Sequence, residues 1–175
     1  EISAGIDAFN QRQNYLSFDT KTSGSGFRLG KNITEYESLS LGYRFENVEV
    51  TGVAASNVTD IFKNETLTTS RLSPTYVYDS RDNFLNPSKG WRHMVAFQIA
   101  GLGGAKFTRS SYETTYYHPL IGKLVGAAHA RVNFAEGYGG ETLPAFERYF
   151  MGGPTSLRGF TIGDIGPKDS SGDPV

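Results

Sequence analysis

The stretch LSPTYVYDSRDNFLNPSKGWRHMVAFQIA, residues 72–100, decides the fold. Leu72, Pro74, Tyr76 and Tyr78 are apolar or aromatic, whereas Arg71, Ser73, Thr75, Asp79 and Arg81 are polar, with Val77 the exception. Successive side chains of a strand point to opposite faces, so this period of two makes one face greasy and the other wet. Asp82, Asn83, Asn86, Pro87 and Gly90 then supply turn chemistry. The chain returns with Trp91, Val95, Phe97 and Ile99 on one side and Arg92, Ala96, Gln98 and Ala100 on the other; His93 interrupts the greasy side. The stretch therefore predicts an antiparallel hairpin of two long strands.

The same alternation extends in both directions. Leu39, Leu41, Tyr43 and Phe45 alternate with Ser38, Ser40, Arg44 and Glu46; Leu124, Ala128, Ala130, Val132 and Phe134 alternate with Ala127, His129, Arg131 and Asn133. Weaker strands are predicted over 2–12, 22–31 and 107–118. The fold class is all-β, an antiparallel meander of about seven strands of about 10 to 14 residues, well above the ~5 or 6 usual in globular sheets and close to the ~9 to 11 that cross a bilayer at a tilt. Tight connections near 32–35, 83–90 and 119–123 interleave with longer ones near 13–21, 51–67 and beyond Gly137; only 101–106 breaks this asymmetry, which transmembrane barrels share. Arg44, Arg71, Asp79, Arg81, Arg92, Glu113, His129 and Arg131 fall on one side, where contact with hydrocarbon would be costly, so they are expected to line water. A soluble sandwich would turn the charged faces outward and bury the greasy ones, and alternation by itself leaves both open.

Composition narrows the function. The 175 residues include 21 Gly, 12 Phe, 10 Tyr, 1 Trp and no Cys, with 17 basic against 18 acidic side chains. Balanced charge argues against a nucleic-acid partner, and the lack of Cys removes disulfides, Cys-ligated zinc and thiol catalysis. No stretch reaches the ~18 apolar residues of a spanning helix. Asp79 and Asp82 flank Arg81 beside a turn, which fits register pinning better than an acid/base dyad. His93, His118 and His129 lie on separate strands and form no metal-ligand spacing, so neither a metal nor a cofactor is expected. The Asp169–Asp173 run lacks the bidentate Glu of a calcium loop. Asn32, Asn57 and Asn64 open sequons that matter only in a eukaryotic secretory pathway. Gly101, Gly103 and Gly104 do not complete a dinucleotide fingerprint.

A second motif-bearing stretch runs Phe146, Glu147, Arg148, Tyr149, Phe150, Met151, Gly152, Gly153, then Ser156, Leu157, Arg158, Gly159, Phe160, and closes with Ile165, Gly166, Pro167. Glycine-rich backbone around one Arg between apolar residues suits a loop that folds inward and sets a guanidinium on a prepared acceptor. Together the two stretches resemble the Omp85 superfamily of outer-membrane insertases and translocases. Leu157, Arg158, Gly159 and Phe160 look like its loop 6 signature, with Glu147, Gly152 and Gly153 as flanks. Asp79, Arg81, Asp82, Pro87 and Gly90 look like its other recurrent signature. The resemblance covers the chain from about residue 36 onward, and the phrase from Glu147 to Gly153 is closer to the BamA branch than to the TamA or two-partner-secretion branches.

The resemblance implies a 16-stranded transmembrane barrel preceded by periplasmic POTRA domains. Residues 1–136 would be its N-terminal to middle strands, 83–90 a periplasmic turn, and 137–175 the start of extracellular loop 6. It implies an integral protein of the bacterial outer membrane and no enzymatic chemistry. It also implies the partners: nascent outer-membrane proteins, periplasmic Bam lipoproteins and outer-membrane lipid. In this family a lateral seam is thought to offer a strand edge to incoming clients, whose backbone amides must stay paired on entering lipid. Arg158 would lock to a lumen carboxylate on a strand after loop 6. The chain has no POTRA domain and stops at Asp173, Pro174 and Val175; about seven strands span only about 34 Å and do not close, so a part of a longer protein is expected. An Omp85-type translocation pore and a soluble β-sandwich binding module are the alternatives.

Overall fold

A computed structural model describes residues 1–14, 18–53, 64–154, 156–161, 163–166 and 168. Asn57, Pro167 and the Asp169–Asp173 run lie outside the described residues. The chain forms β1 (Ile2–Asn14), β2 (Asp19–Asn32), β3 (Glu37–Thr51), β4 (Glu65–Asp79), β5 (Gly90–Gly104), β6 (Phe107–Pro119) and β7 (Val125–Gly137). They make one antiparallel sheet in the order β1-β2-β3-β4-β5-β6-β7, the expected meander. The strands run 13 to 15 residues, a little longer than the alternation indicates.

Register settles which residues share a face, because directly paired residues in an antiparallel ladder point the same way. Arg44 pairs with Arg71, Arg71 with Ala100, Asp79 with Arg92, and Glu113 with Arg131. The charged residues singled out from the strands therefore do lie on one face. On the other, Phe97 is 41% and Val132 67% exposed, and Leu39, Leu41, Phe45, Leu72, Val95, Ile99 and Phe134 are exposed as well. A soluble sandwich would have buried this greasy face. Instead the sheet buries its polar side, onto which the chain after β7 folds.

Near one end the greasy face carries rings. Trp91 stacks on Tyr116 with centroids 4.2 Å apart and on His93 at 5.3 Å, and Tyr36, Tyr78, Tyr112 and His118 continue the row. Aromatic residues favour the water boundary of a membrane, where an apolar body and a polar tip are both accommodated. His93, the interruption in the sequence pattern, is absorbed here: its Nδ1 lies 3.0 Å from the Tyr112 hydroxyl and 2.9 Å from that of Thr114.

The wet face is not wet throughout, which corrects the expectation that it lines only water. Beyond Glu46 the register of β3 runs on unbroken but its polarity reverses: Asn47 and Glu49 continue the outer face, while Val48 and Val50 continue the inner one and are buried. Phe18, Val48, Val50, Val53 and Ala145 form one apolar cluster with Phe146 against it; Ala100, Ala105 and Phe107 form another with Leu143. Each cluster joins strand ends to the segment after β7. The change of polarity marks the level where β3 exchanges one apolar neighbour for another.

Candidate functional site

The β4–β5 turn is closed by its own polar groups. Arg81 grips Asp79 through two nitrogens, Nε to Oδ1 at 2.8 Å and Nη2 to Oδ2 at 2.6 Å, and its guanidinium lies 5.2 Å from the Phe84 ring centroid. Asp82 accepts from the Ser88 hydroxyl, from Ser88 N at 2.9 Å and from Lys89 N at 3.1 Å. Those donors, the Ser88 hydroxyl foremost, hold its carboxyl far below the usual carboxylate range. Asn83 caps Leu85 N and Asn86 N, an Asx turn into Pro87. Gly90 has φ +113°, and a Cβ there would run into the Ser80 carbonyl, so the position requires glycine. Asp79, Arg81, Asp82, Pro87 and Gly90 thus form one compact unit.

The segment after β7 crosses the charged face. Tyr138 donates to the Ala100 carbonyl at 2.7 Å, and a short 3-10 turn, Ala145–Glu147, sets Glu147 against the wall. The Glu147 carboxylate is 3% exposed and takes Arg71 Nη1 at 3.1 Å and Arg109 Nη1 at 2.7 Å. Arg71, 13% exposed, also pairs with Glu46, which is 2% exposed. Arg109 lies 4.3 Å from the Tyr149 ring centroid. Arg148 is half-buried with its Nε unpartnered, and desolvation lowers its pKa. A separate network on the same face ties Glu113 to Arg131 at 2.6 Å and Arg92 at 3.3 Å, with His129 at 3.7 Å.

Leu157, Arg158, Gly159 and Phe160 occupy the tip of a hairpin beyond this cluster. Gly153 N donates to Phe160 O at 2.7 Å, Gly163 N to Met151 O at 2.8 Å, and Met151 and Ile165 form an antiparallel bridge. Gly152 and Gly153, at φ +113° and +84°, are buried at its base, where Gly152 N donates to Ser156 Oγ at 2.9 Å. The Asp164 carboxyl, lowered by the Thr161 hydroxyl and amide, closes the far side. Arg158 itself is exposed, and among the described residues no ion pair engages it.

The structure therefore brings Glu147 to Arg71 and Arg109, keeps the Asp79–Gly90 turn at the opposite end of β4, and leaves the tetrad apart from both. Sequence reasoning did not identify Glu46 as a partner of Arg71, or Arg71 and Arg109 as partners of Glu147. The register that sets Arg44 opposite Arg71, like charges that favour a nearby carboxylate, is seen only in the structure. Among the described residues no group of His, Asp or Glu is arranged to hold a metal ion.

Comparison with known proteins places this geometry. The Omp85 superfamily domain matches residues 1–175. The chain is 28% identical over its whole length to the outer membrane protein assembly factor BamA of Nitratidesulfovibrio vulgaris, covering 23% of that protein. It is 29% identical over 95% of its length to BamA of Neisseria meningitidis serogroup B, covering 24%. A human sorting and assembly machinery component 50 homolog is 33% identical over 59% of the chain, which covers 22% of it. The chain thus spans about a quarter of the length of the curated relatives it matches. The crystal structure of BamA from Haemophilus ducreyi lacking POTRA domains 1-3 superposes with a TM-score of 0.84 at 22% identity, over 95% of this chain and 36% of that one. With the family model matching every residue and the meander carrying its greasy face outward, the chain belongs to the Omp85 superfamily.

Proposed function

We propose that this chain forms part of the barrel wall and the inward-folded loop 6 of a BamA-type assembly factor, which inserts client β-barrels into the outer membrane without covalent chemistry. The observation that carries the reading is the orientation of the sheet: apolar side chains face out, and a charged inner face receives a folded-back segment. On this reading the turns at 33–36, 80–89 and 120–124 are periplasmic and the segment from Tyr138 is extracellular loop 6. The BamA relatives are named for outer-membrane protein assembly, which favours an insertase over a translocation pore. Its partners are nascent outer-membrane proteins, outer-membrane lipid and periplasmic Bam lipoproteins.

Within that function Arg158 acts as a lock. Its exposure at the hairpin tip supports a partner supplied by later strands, and a guanidinium is suited to a bidentate grip on a lumen carboxylate. Removing one member of such a buried pair costs roughly 3 to 5 kcal/mol, because the other charge is stranded. In the full-length protein, Arg158→Ala should lower client insertion into proteoliposomes and weaken heat-modifiable migration on gels. Unchanged insertion and migration would refute the lock.

A further inference from the structure

The socket that receives Glu147 belongs to the wall alone. Arg71 of β4 and Arg109 of β6 bind the same carboxylate, and β5 between them contributes no charge: fully buried Ala100 stands opposite Arg71 and the neutral Gln98 opposite Arg109. Arg44 stands directly across from Arg71, and Glu46 is the wall's buried carboxylate in the cluster. Without the segment after β7 the socket therefore holds more guanidinium than carboxylate, and the segment brings the missing carboxylate as it covers Arg71 and Arg109. Apolar contacts flank the same spot, Ala145 and Phe146 against Val48 and Val50, and Leu143 against the Phe107 cluster. The hairpin beyond is closed by its own bonds, so its orientation is set at its root, where Glu147 and Tyr149 meet Arg109.

We infer that Glu147 is the positioning residue that seats loop 6 on the wall and thereby fixes where Arg158 is presented. This rests on the assignment of the segment to loop 6. The apolar contacts alone tolerate sliding; a carboxylate held by guanidinium groups from strands on either side of β5 does not.

Ala145 reports seating, since it lies on the buried side of the segment against Val48 and Val50, and a thiol there reacts only when the segment lifts. The 175 residues contain no Cys, so Ala145→Cys adds a single thiol to this region of the full-length protein. Its maleimide labelling rate is then measured in outer-membrane vesicles. Glu147→Gln, which keeps shape and loses charge, should raise the rate roughly tenfold or more, whereas Glu147→Asp should stay within about threefold of the parent. Should Glu147→Gln fail to fold, Arg109→Lys keeps the charge, loses the planar fork and should give an intermediate rate. Parent-like labelling in Glu147→Gln, or in Arg109→Lys if only that folds, overturns the inference. So does release by Arg158→Ala that matches release by Glu147→Gln. Client insertion assayed on the same variants separates the two claims: faster labelling with undiminished insertion keeps the seat and removes the loop's role in insertion.

Discussion

The two motif-bearing regions differ in where their polar groups find partners. The Asp79–Gly90 turn satisfies itself: Arg81 is spent on Asp79, Asp82 on Ser88 and Lys89, and Asn83 on its own following amides. The segment after β7 depends on others, with Glu147 completed by two different strands and Arg158 by nothing among the described residues. A region that closes on itself fixes a turn and a register. One that draws its partners from distant strands connects parts of a molecule and can report their arrangement.

That contrast can be broken or sharpened experimentally. The largest effect is expected at Glu46, where Ala would leave the buried Arg71 guanidinium with Glu147 alone; the cost is about 3 to 5 kcal/mol, measured by urea unfolding of the folded barrel in lipid. Phe97→Arg on the outer face should cost about 2 to 4 kcal/mol if that position lies near the bilayer midplane, read by the same titration. Gly90→Ala should cost roughly 1 to 3 kcal/mol from its left-handed backbone, with a further loss because the Ser80 carbonyl must move. The loss should appear without any change in the labelling of a thiol at Ala145, since the turn and the segment share no partner.

The smallest effect is expected at Asp82, and it carries a sign. Because the folded state depresses its pKa, its contribution is complete above the ordinary carboxylate range and is lost as pH falls through that range toward the depressed value. Asp82→Asn should therefore lower stability slightly at neutral pH, and the gap to the parent should close in strong acid. A gap that widens with acid would show that the Ser88 and Lys89 contacts do not act on the ionised form.

Much of the fold was legible because one rule, period two, governs it over seven strands. Leu72 to Tyr78 and Trp91 to Ile99 alternate, Val77 and His93 excepted, because hydrocarbon on one side tolerates few polar side chains. The rule failed where the neighbour changes. Val48 and Val50 break the pattern of the polar face because above that level the inner face meets the apolar side of the segment rather than water. The turn was readable from local chemistry, since each of its partners lies within a few residues. The Glu46, Arg71, Arg109 and Glu147 cluster was not, because it joins four places far apart in the chain whose meeting depends on register and on a long segment folding back. Arg158 was legible as a motif, yet among the described residues no ion pair engages it.

Everything rests on which face meets lipid, and nitroxide labels placed one at a time at Val95, Ala96, Phe97 and Gln98 of the full-length protein in bilayers test that directly. The orientation described here predicts that labels at Val95 and Phe97 collide mainly with lipid-dissolved oxygen, and those at Ala96 and Gln98 mainly with a water-soluble nickel chelate. The opposite alternation, or none across the four positions, would contradict it.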